Sequence, residues 1–338
     1  MKPEELLHPT PQGLYCPPGD FFIDPVAAVS RAIITHGHAD HARAGHGAVI
    51  GTPETLAIMA ARYGEAFTEA REPLAYRNKV DVNGVTVWLA PAGHVLGSAQ
   101  AVIEHQGLRM VVTGDFKRRR DPTCEAFEVV PCDIFISEAT FALPVFHHPH
   151  TAEEVRKLID SLRQFPERAH LVGAYALGKA QRVICHLREE GYDEPIYIHG
   201  ALQALCDLYR EWGVDLGELR PATVKDDRGS KQDFAGKVII CPPSAVQTTW
   251  ARRFPDPVTA FASGWMRVRQ RAKQRGVELP LIISDHADWE ELTRTVEDVD
   301  PRELWVTHGR EDAFVRWAEI NGRIARPLRL VGYEDENE

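Results

Sequence analysis

The chain is predicted to be an α/β protein, on three observations. Short apolar, β-branched runs recur along it and lead into a histidine or an aspartate. The stretches between them carry helix-start chemistry. Neither an internal repeat nor a low-complexity linker interrupts this alternation, so any second domain is inserted compactly.

Taken in order, Ala32-Ile33-Ile34-Thr35 runs straight into His36. Thr52-Pro53 opens a helix, with an N-cap hydroxyl and proline at the first helical position. Asn83-Gly84 stands between the alternating valines 80/82 and 85/87 and reads as a hairpin turn. Val87-Trp88-Leu89 leads through Ala-Pro-Ala-Gly to His94, and Met110-Val111-Val112-Thr113-Gly114 ends at Asp115. Thr151-x-x-Glu154 predicts a capping box, followed by Val155, Leu158, Ile159 and Leu162 on one helical face. Leu281-Ile282-Ile283-Ser284 leads through Asp285 to His286, and Asp288-x-x-Glu291 starts the next helix. Leu304-Trp305-Val306-Thr307 meets His308. A random scatter of the 15 histidines would not favour strand ends in this way. If those ends share a sheet edge, the polar side chains converge there.

Composition narrows the class. With 338 residues, 44% hydrophobic and 26% charged, the chain is an ordinary soluble globular protein of one large domain or two. No apolar run reaches the length of a membrane span, and Met1-Lys2-Pro3-Glu4-Glu5 lacks a signal segment. The cysteines at 16, 124, 132, 185, 206 and 241 form no C-x-x-C pair and read as reduced thiols of a cytoplasmic protein. A net charge of −10 argues against a polyanion only if charge is evenly spread. It is not: residues 334–338 are acidic, whereas Lys117-Arg118-Arg119-Arg120 and the stretch from Arg267 to Arg275 are basic. Each basic segment reads equally as a solvated face. Arg267, Arg271 and Arg275 fall four apart and would share one face of a helix as phosphate contacts.

The sharpest local signal is His36-Gly37-His38-Ala39-Asp40-His41, on a loop after a strand. Small residues between the polar ones allow His36 and His38 to point one way, and Asp40 and His41 another. Imidazole and carboxylate suit zinc, manganese or iron, and the absence of cysteine argues against a structural zinc cage. Adding the strand-end residues completes a ligand set. His36, His38 and His94 serve one metal, Asp40, His41 and His308 a second, and Asp115 with a hydroxide is shared. Paired ions about 3.5–4 Å apart are a standard device for cutting phosphoesters. His147-His148-x-His150 reads instead as an exposed crossover.

H-x-H-x-D-H followed by a lone histidine and a lone aspartate resembles the metallo-β-lactamase superfamily. Ala92-Gly93-His94-Val95-Leu96-Gly97-Ser98 looks like the matching motif of the β-CASP nucleases. Ser137-Glu138-Ala139-Thr140 is similar to their motif A, Ser284-Asp285-His286-Ala287-Asp288 to motif B, and Val306-Thr307-His308-Gly309 to motif C. Ala176-Leu177-Gly178-Lys179-Ala180-Gln181 resembles the start of a cap helix in that group. Tyr15 to Pro25 (YCPPGDFFIDP) looks like the bacterial branch of ligase-associated DNA exonucleases.

The resemblance implies an αββα sandwich, residues 1–141 and 279–338, with an inserted β-CASP α/β cap, residues 142–278, and a site in the cleft between them. It implies that Asp24 supports the ligands from a second layer, Glu138 supports the site, and His286 contacts the scissile phosphate. Asp40 joins these as a catalytic position. A bridging water, acidified toward a pKa of about 7 between Zn²⁺ and/or Mn²⁺ ions, would attack phosphorus in line. His286 or a metal-bound water would supply the leaving-group proton. DNA is the favoured substrate on the N-terminal signature, with a functional association with a DNA ligase. Histidine at motif C, which accompanies RNA-processing members, raises RNA as the alternative. A small-molecule ester hydrolase is the reading from another class, since the same centre serves many esters.

Overall fold

The computed structural model of the chain describes residues 1–223, 233–274 and 276–328. After α1 (Pro3–Leu6), a first sheet forms in chain order from β1 (His8–Thr10), β2 (Gly13–Cys16), β3 (Phe21–Ile23), β4 (Arg31–Ile33), β5 (His46–Gly51) and β6 (Thr68–Pro73). Between β5 and β6 lies α2 (Pro53–Tyr63), whose Thr55 amide donates to the Thr52 hydroxyl with Pro53 at the first position. A second sheet opens with β7 (Lys79–Val82), β8 (Val85–Pro91), β9 (Ala99–His105), β10 (Leu108–Val112) and β11 (Ile134–Ala139). Asn83 and Gly84 join β7 to β8 with φ of 54° and 84°, the pair of left-handed residues a tight hairpin of this hand requires.

From α3 (Thr151–Gln164) the chain builds another α/β unit. Its strands are β12 (His170–Gly173), β13 (Ile196–Ile198), β14 (Leu219–Pro221), β15 (Val238–Cys241), β16 (Val258–Ala262) and β17 (Leu279–Leu281), all parallel. Helices α4 (Lys179–Glu189), α5 (Gln203–Glu211) and α6 (Arg269–Gln274) lie in the connections. Every residue of β12 and β15 is buried, as a parallel strand covered on both faces demands. The chain then returns through α7 (Trp289–Val299), β18 (Glu303–Gly309), α8 (Glu311–Ile320) and β19 (Ile324–Pro327), completing the second sheet in the order β19-β18-β11-β10-β9-β8-β7. The chain divides into two compact units, Met1–His147 with His286–Glu338, and His148–Asp285. Among the described residues no helix is long and apolar enough to cross a membrane.

Within the first unit the layers follow from side-chain alternation. Leu14, Ile23, Ile33 and Ile50 of the first sheet meet Val87, Leu89, Ile103, Met110 and Ile136 of the second in one core. The opposite face of the second sheet, including Val102, Val111 and Phe135, packs on Leu292 and Val296 of α7 and Phe314 of α8. Ala32, Ile34 and Val49 turn the other way, onto Leu56 and Met59 of α2. The result is a helix–sheet–sheet–helix sandwich. A one-residue slip of any inner strand would swap its two faces, which fixes the register that sets each strand end.

Five expectations are corrected by tertiary context. Thr151 is the first residue of α3 rather than its cap, and His150 flanks the helix without a side-chain bond. Glu154 instead accepts the Ile282 amide at 2.9 Å, and β17 stops at Leu281, short of the predicted Ser284. Arg267 and Arg271 do not share a helix. Arg267 ends a 3-10 turn, Val268 is extended, and α6 begins at Arg269; Arg275 lies outside the described residues. Of the basic run at 117–120 only Arg120 is exposed. Lys117 is buried, Arg118 pairs with Asp298 at 2.6 Å, and Arg119 with Asp288 at 2.9 Å. His147 and His150 are exposed as expected, but His148 is buried.

Candidate metal centre

The second sheet puts its polar residues at one edge by strand direction alone. β8, β10, β11 and β18 run the same way, so His94, Asp115, Glu138 and His308 all arise at or just beyond their C-terminal ends. β4 of the facing sheet delivers His36, His38, Asp40 and His41, and His286 precedes α7. A register shift sharpens one of these positions. Ser137 pairs with Val306 but Ala139 with Gly309, so Thr307 and His308 together oppose Glu138. His308 takes the left-handed backbone of that bulge, φ 60°, which turns its ring out of the strand's alternation.

Ligand-capable atoms of His36, His38, His94 and Asp115 all lie within 4.8 Å of one another, and all four residues are buried. Asp115 Oδ2 is 3.4 Å from His36 Nε2, 3.6 Å from His41 Nε2 and 3.7 Å from His94 Nε2. His94 Nε2 and His38 Nδ1 are 2.9 Å apart. His41 Nε2 also lies 3.6 Å from Asp40 Oδ2, and the His308 ring stacks on that of His41 with centroids 5.2 Å apart. Asp115 thus lies beside His36 and His94 of one set read from the sequence and beside His41 of the other.

Electrostatics mark the same place. Burial, then the Glu138 and Asp40 carboxylates, push the Asp115 carboxyl up to about 8. Burial works against a charged His41, yet Asp115, Asp40 and Asp24 raise it to about 10. Burial and the neighbouring imidazoles hold His36 well below its ordinary value, and His308 falls to about 3 for the same reasons. Burial also opposes ionisation of Asp40, but His41 and His38 draw its carboxyl below the usual range. Such divergent shifts within one cluster are typical of functional sites. His36 Nε2 and Asp40 Oδ1 are buried with no hydrogen-bond partner in the protein, although almost all buried polar atoms have one. Inward-facing imidazole nitrogens and carboxylate oxygens of this kind fit divalent cations.

A second layer holds these groups. Asp24 accepts from the Thr35 amide at 2.7 Å, the Thr35 hydroxyl at 2.6 Å and His41 Nδ1 at 2.8 Å. The Ser98 hydroxyl accepts the amides of His94 and Val95, at 3.0 and 3.2 Å. Arg62 of α2 donates to the Gly37 carbonyl at 2.6 Å. Glu138 accepts from the Phe116 amide at 2.7 Å, the Thr140 hydroxyl at 2.6 Å and His286 Nδ1 at 3.0 Å. Its carboxylate is thus committed to donors and orients His286. Thr35, Ser98 and Arg62 carried no assigned role in the sequence reading. Thr35 and Ser98 stand beside motif histidines, but nothing local marks Arg62, which reaches its partner across 25 positions.

Gly114 leads Asp115 into place with φ 55°, and a Cβ there would sit 2.5 Å from Thr35 Oγ1. Gly114→Ala is expected to destabilise the chain by about 1–3 kcal/mol through the left-handed backbone and this clash. Urea unfolding reads the shift, and an unchanged midpoint would show that the loop relaxes.

The substrate residues inferred from the sequence lie in the other unit. Arg267 and Arg271 are exposed, with the Arg271 guanidinium 4.0 Å from the centroid of the Trp265 ring. In that unit α4 begins at Lys179, where the Gly178 amide donates to the Gln181 side chain at 2.8 Å. Lys179, fully buried, pairs with Asp285 at 2.7 Å.

Known proteins resemble the chain in sequence and in fold. Residues 24–169 match the Metallo-beta-lactamase superfamily. The chain is 30% identical over 314 residues to a probable DNA ligase of Opitutus terrae, covering 92% of this chain and 30% of that one. It is 31% identical over 324 residues to endoribonuclease YSH1 of Candida glabrata, covering 78% of this chain and 41% of the relative. The chain therefore spans less than half the length of either relative. A solved protein of unknown function from Enterococcus faecalis V583 superposes with a TM-score of 0.58 at 13% identity, covering 89% of this chain and 80% of that one, a likeness of fold alone. The sandwich, the strand-end cluster and the match over residues 24–169 agree, and the chain carries a metallo-β-lactamase domain.

Proposed function

We propose that the chain is a metal-dependent DNA exonuclease of repair, with its second compact unit, His148–Asp285, as the β-CASP cap. The observation that carries this is the buried cluster of His36, His38, His94 and Asp115 beside a His286 held by Glu138. His36, His38 and His94 would hold one divalent ion and Asp40, His41 and His308 a second, with Asp115 placed between the two sets. Zinc or manganese, when bound, supplies an acidified water and neutralises charge on the phosphoryl group. Asp24 keeps His41 facing the centre. Glu138 fixes the His286 ring, whose other nitrogen addresses the scissile phosphate and stabilises the charge that develops there.

The extended likeness to a probable DNA ligase supports DNA as substrate and a ligase as functional partner. RNA is the second reading, favoured by the endoribonuclease relative and by histidine at position 308. Digestion of labelled single- and double-stranded DNA and RNA, blocked in turn at each end and titrated with zinc or manganese, separates them. Stepwise loss from one free DNA end is the expected result. Cutting confined to RNA, or inside end-blocked strands, would overturn the exonuclease assignment.

Arg267 and Arg271 are proposed as phosphate contacts. Neutralising both is expected to flatten the slope of log affinity against log salt by about 0.7–0.9 per lost contact. An unchanged slope would make them ordinary surface.

A further inference from the structure

Building on the proposed two-metal centre, we infer that Thr35 is a positioning residue that relays the Asp24 carboxylate to His36. One buried anion then sets the ring tautomer of a histidine in each metal's ligand set. Asp24, Thr35, His36 and His41 are all buried. The Thr35 hydroxyl lies 2.6 Å from Asp24 Oδ2 and 3.1 Å from His36 Nδ1. It has one proton to give, and an ionised carboxylate can only accept. Directing that proton at His36 would leave two oxygen lone pairs facing each other across 2.6 Å. The hydroxyl therefore donates to Asp24 and accepts from His36 Nδ1–H. That leaves Nε2 of His36 as the lone pair turned toward Asp115, 3.4 Å away. The same Asp24 oxygen takes His41 Nδ1–H at 2.8 Å, which turns His41 Nε2 toward Asp40 and Asp115.

The fork is anchored at Asp24. The Thr35 amide donates to its other oxygen, so the backbone that carries the hydroxyl is held by the same carboxylate. A threonine that merely filled space would be replaced by valine with equal effect on both halves of the centre. A relay makes the two halves differ: Thr35→Val removes the link to His36 and leaves the direct bond from His41 to Asp24.

The test strips the full-length protein of metal and titrates it with Zn²⁺ against a chromophoric chelator. The parent chain is expected to bind two ions. Thr35→Val is expected to keep one near parental affinity and weaken the other about 10–100-fold. Thr35→Ser, which restores the hydroxyl, is expected to recover both, and Asp24→Asn to weaken both. In protein labelled with ¹⁵N-histidine, the His36 ring of the parent is expected to carry its proton on Nδ1, a readout that stands even if Thr35→Val fails to fold. Parental binding of both ions by Thr35→Val, failure of Thr35→Ser to rescue, or a His36 proton on Nε2 overturns the relay alone. A parent chain that binds no divalent ion overturns the two-metal reading as well.

Discussion

His286→Ala is expected to lower kcat by about 10²–10³-fold, the usual cost of removing one donor aimed at developing charge, while metal content stays at its parental level. His286 Nδ1 is taken by Glu138 at 3.0 Å, so the ring is anchored by a carboxylate that also accepts from Phe116 and Thr140. Its ring lies 4.7 Å from that of His94, close enough to act on a group held at the centre without belonging to either ligand set. Single-turnover rates with metal content measured on the same samples separate the two effects. Glu138→Gln should move kcat in the same direction by loosening the ring. Parental turnover in His286→Ala would remove this histidine from the chemistry, and loss of metal in parallel with rate would make it a ligand.

Asp115→Asn is expected to abolish measurable hydrolysis and to lower bound metal below the parental stoichiometry. Asp115 is the carboxylate within 3.4–3.7 Å of histidines from both proposed ligand sets, so a neutral amide there weakens both at once. The pH dependence identifies the group. Burial, then Glu138 and Asp40, raise this carboxyl to about 8, so it holds a proton at neutral pH that a cation must displace. Parental affinity should therefore climb as pH rises toward 8, and further toward 10 as His41 loses its proton. The substituted amide has no such proton to lose, and that part of the dependence should vanish. A variant that keeps both ions with the parental pH profile would show that Asp115 bridges nothing.

The parts of this protein that were legible in its sequence are those written in local patterns. Asn83-Gly84 specifies its hairpin because both residues tolerate left-handed backbone, and Thr52-Pro53 opens α2 because hydroxyl and imide suit the first turn. Where long-range packing competed, local patterns failed. Glu154 left its predicted capping role because a buried carboxylate is better satisfied by the Ile282 amide. Arg118 and Arg119 of the basic run are paired with acids of α7 and its N-cap, some 170–180 positions further along. The spacing of Arg267 and Arg271 implied one helical face, yet extended Val268 interrupts it.

By itself the sequence determined the residue types of the centre and their strand-end setting, since hydrophobic periodicity sets where a strand stops and the next polar residue begins. Tertiary structure alone decided that these ends coincide. Parallel ordering of β10, β11 and β18 and the facing of two sheets are global outcomes of burying apolar faces, with no local signature. The same holds for the supporting layer of Thr35, Ser98 and Arg62. Hydrogen-bond direction and reach exist only once the chain is folded, so no spacing in the sequence could announce them.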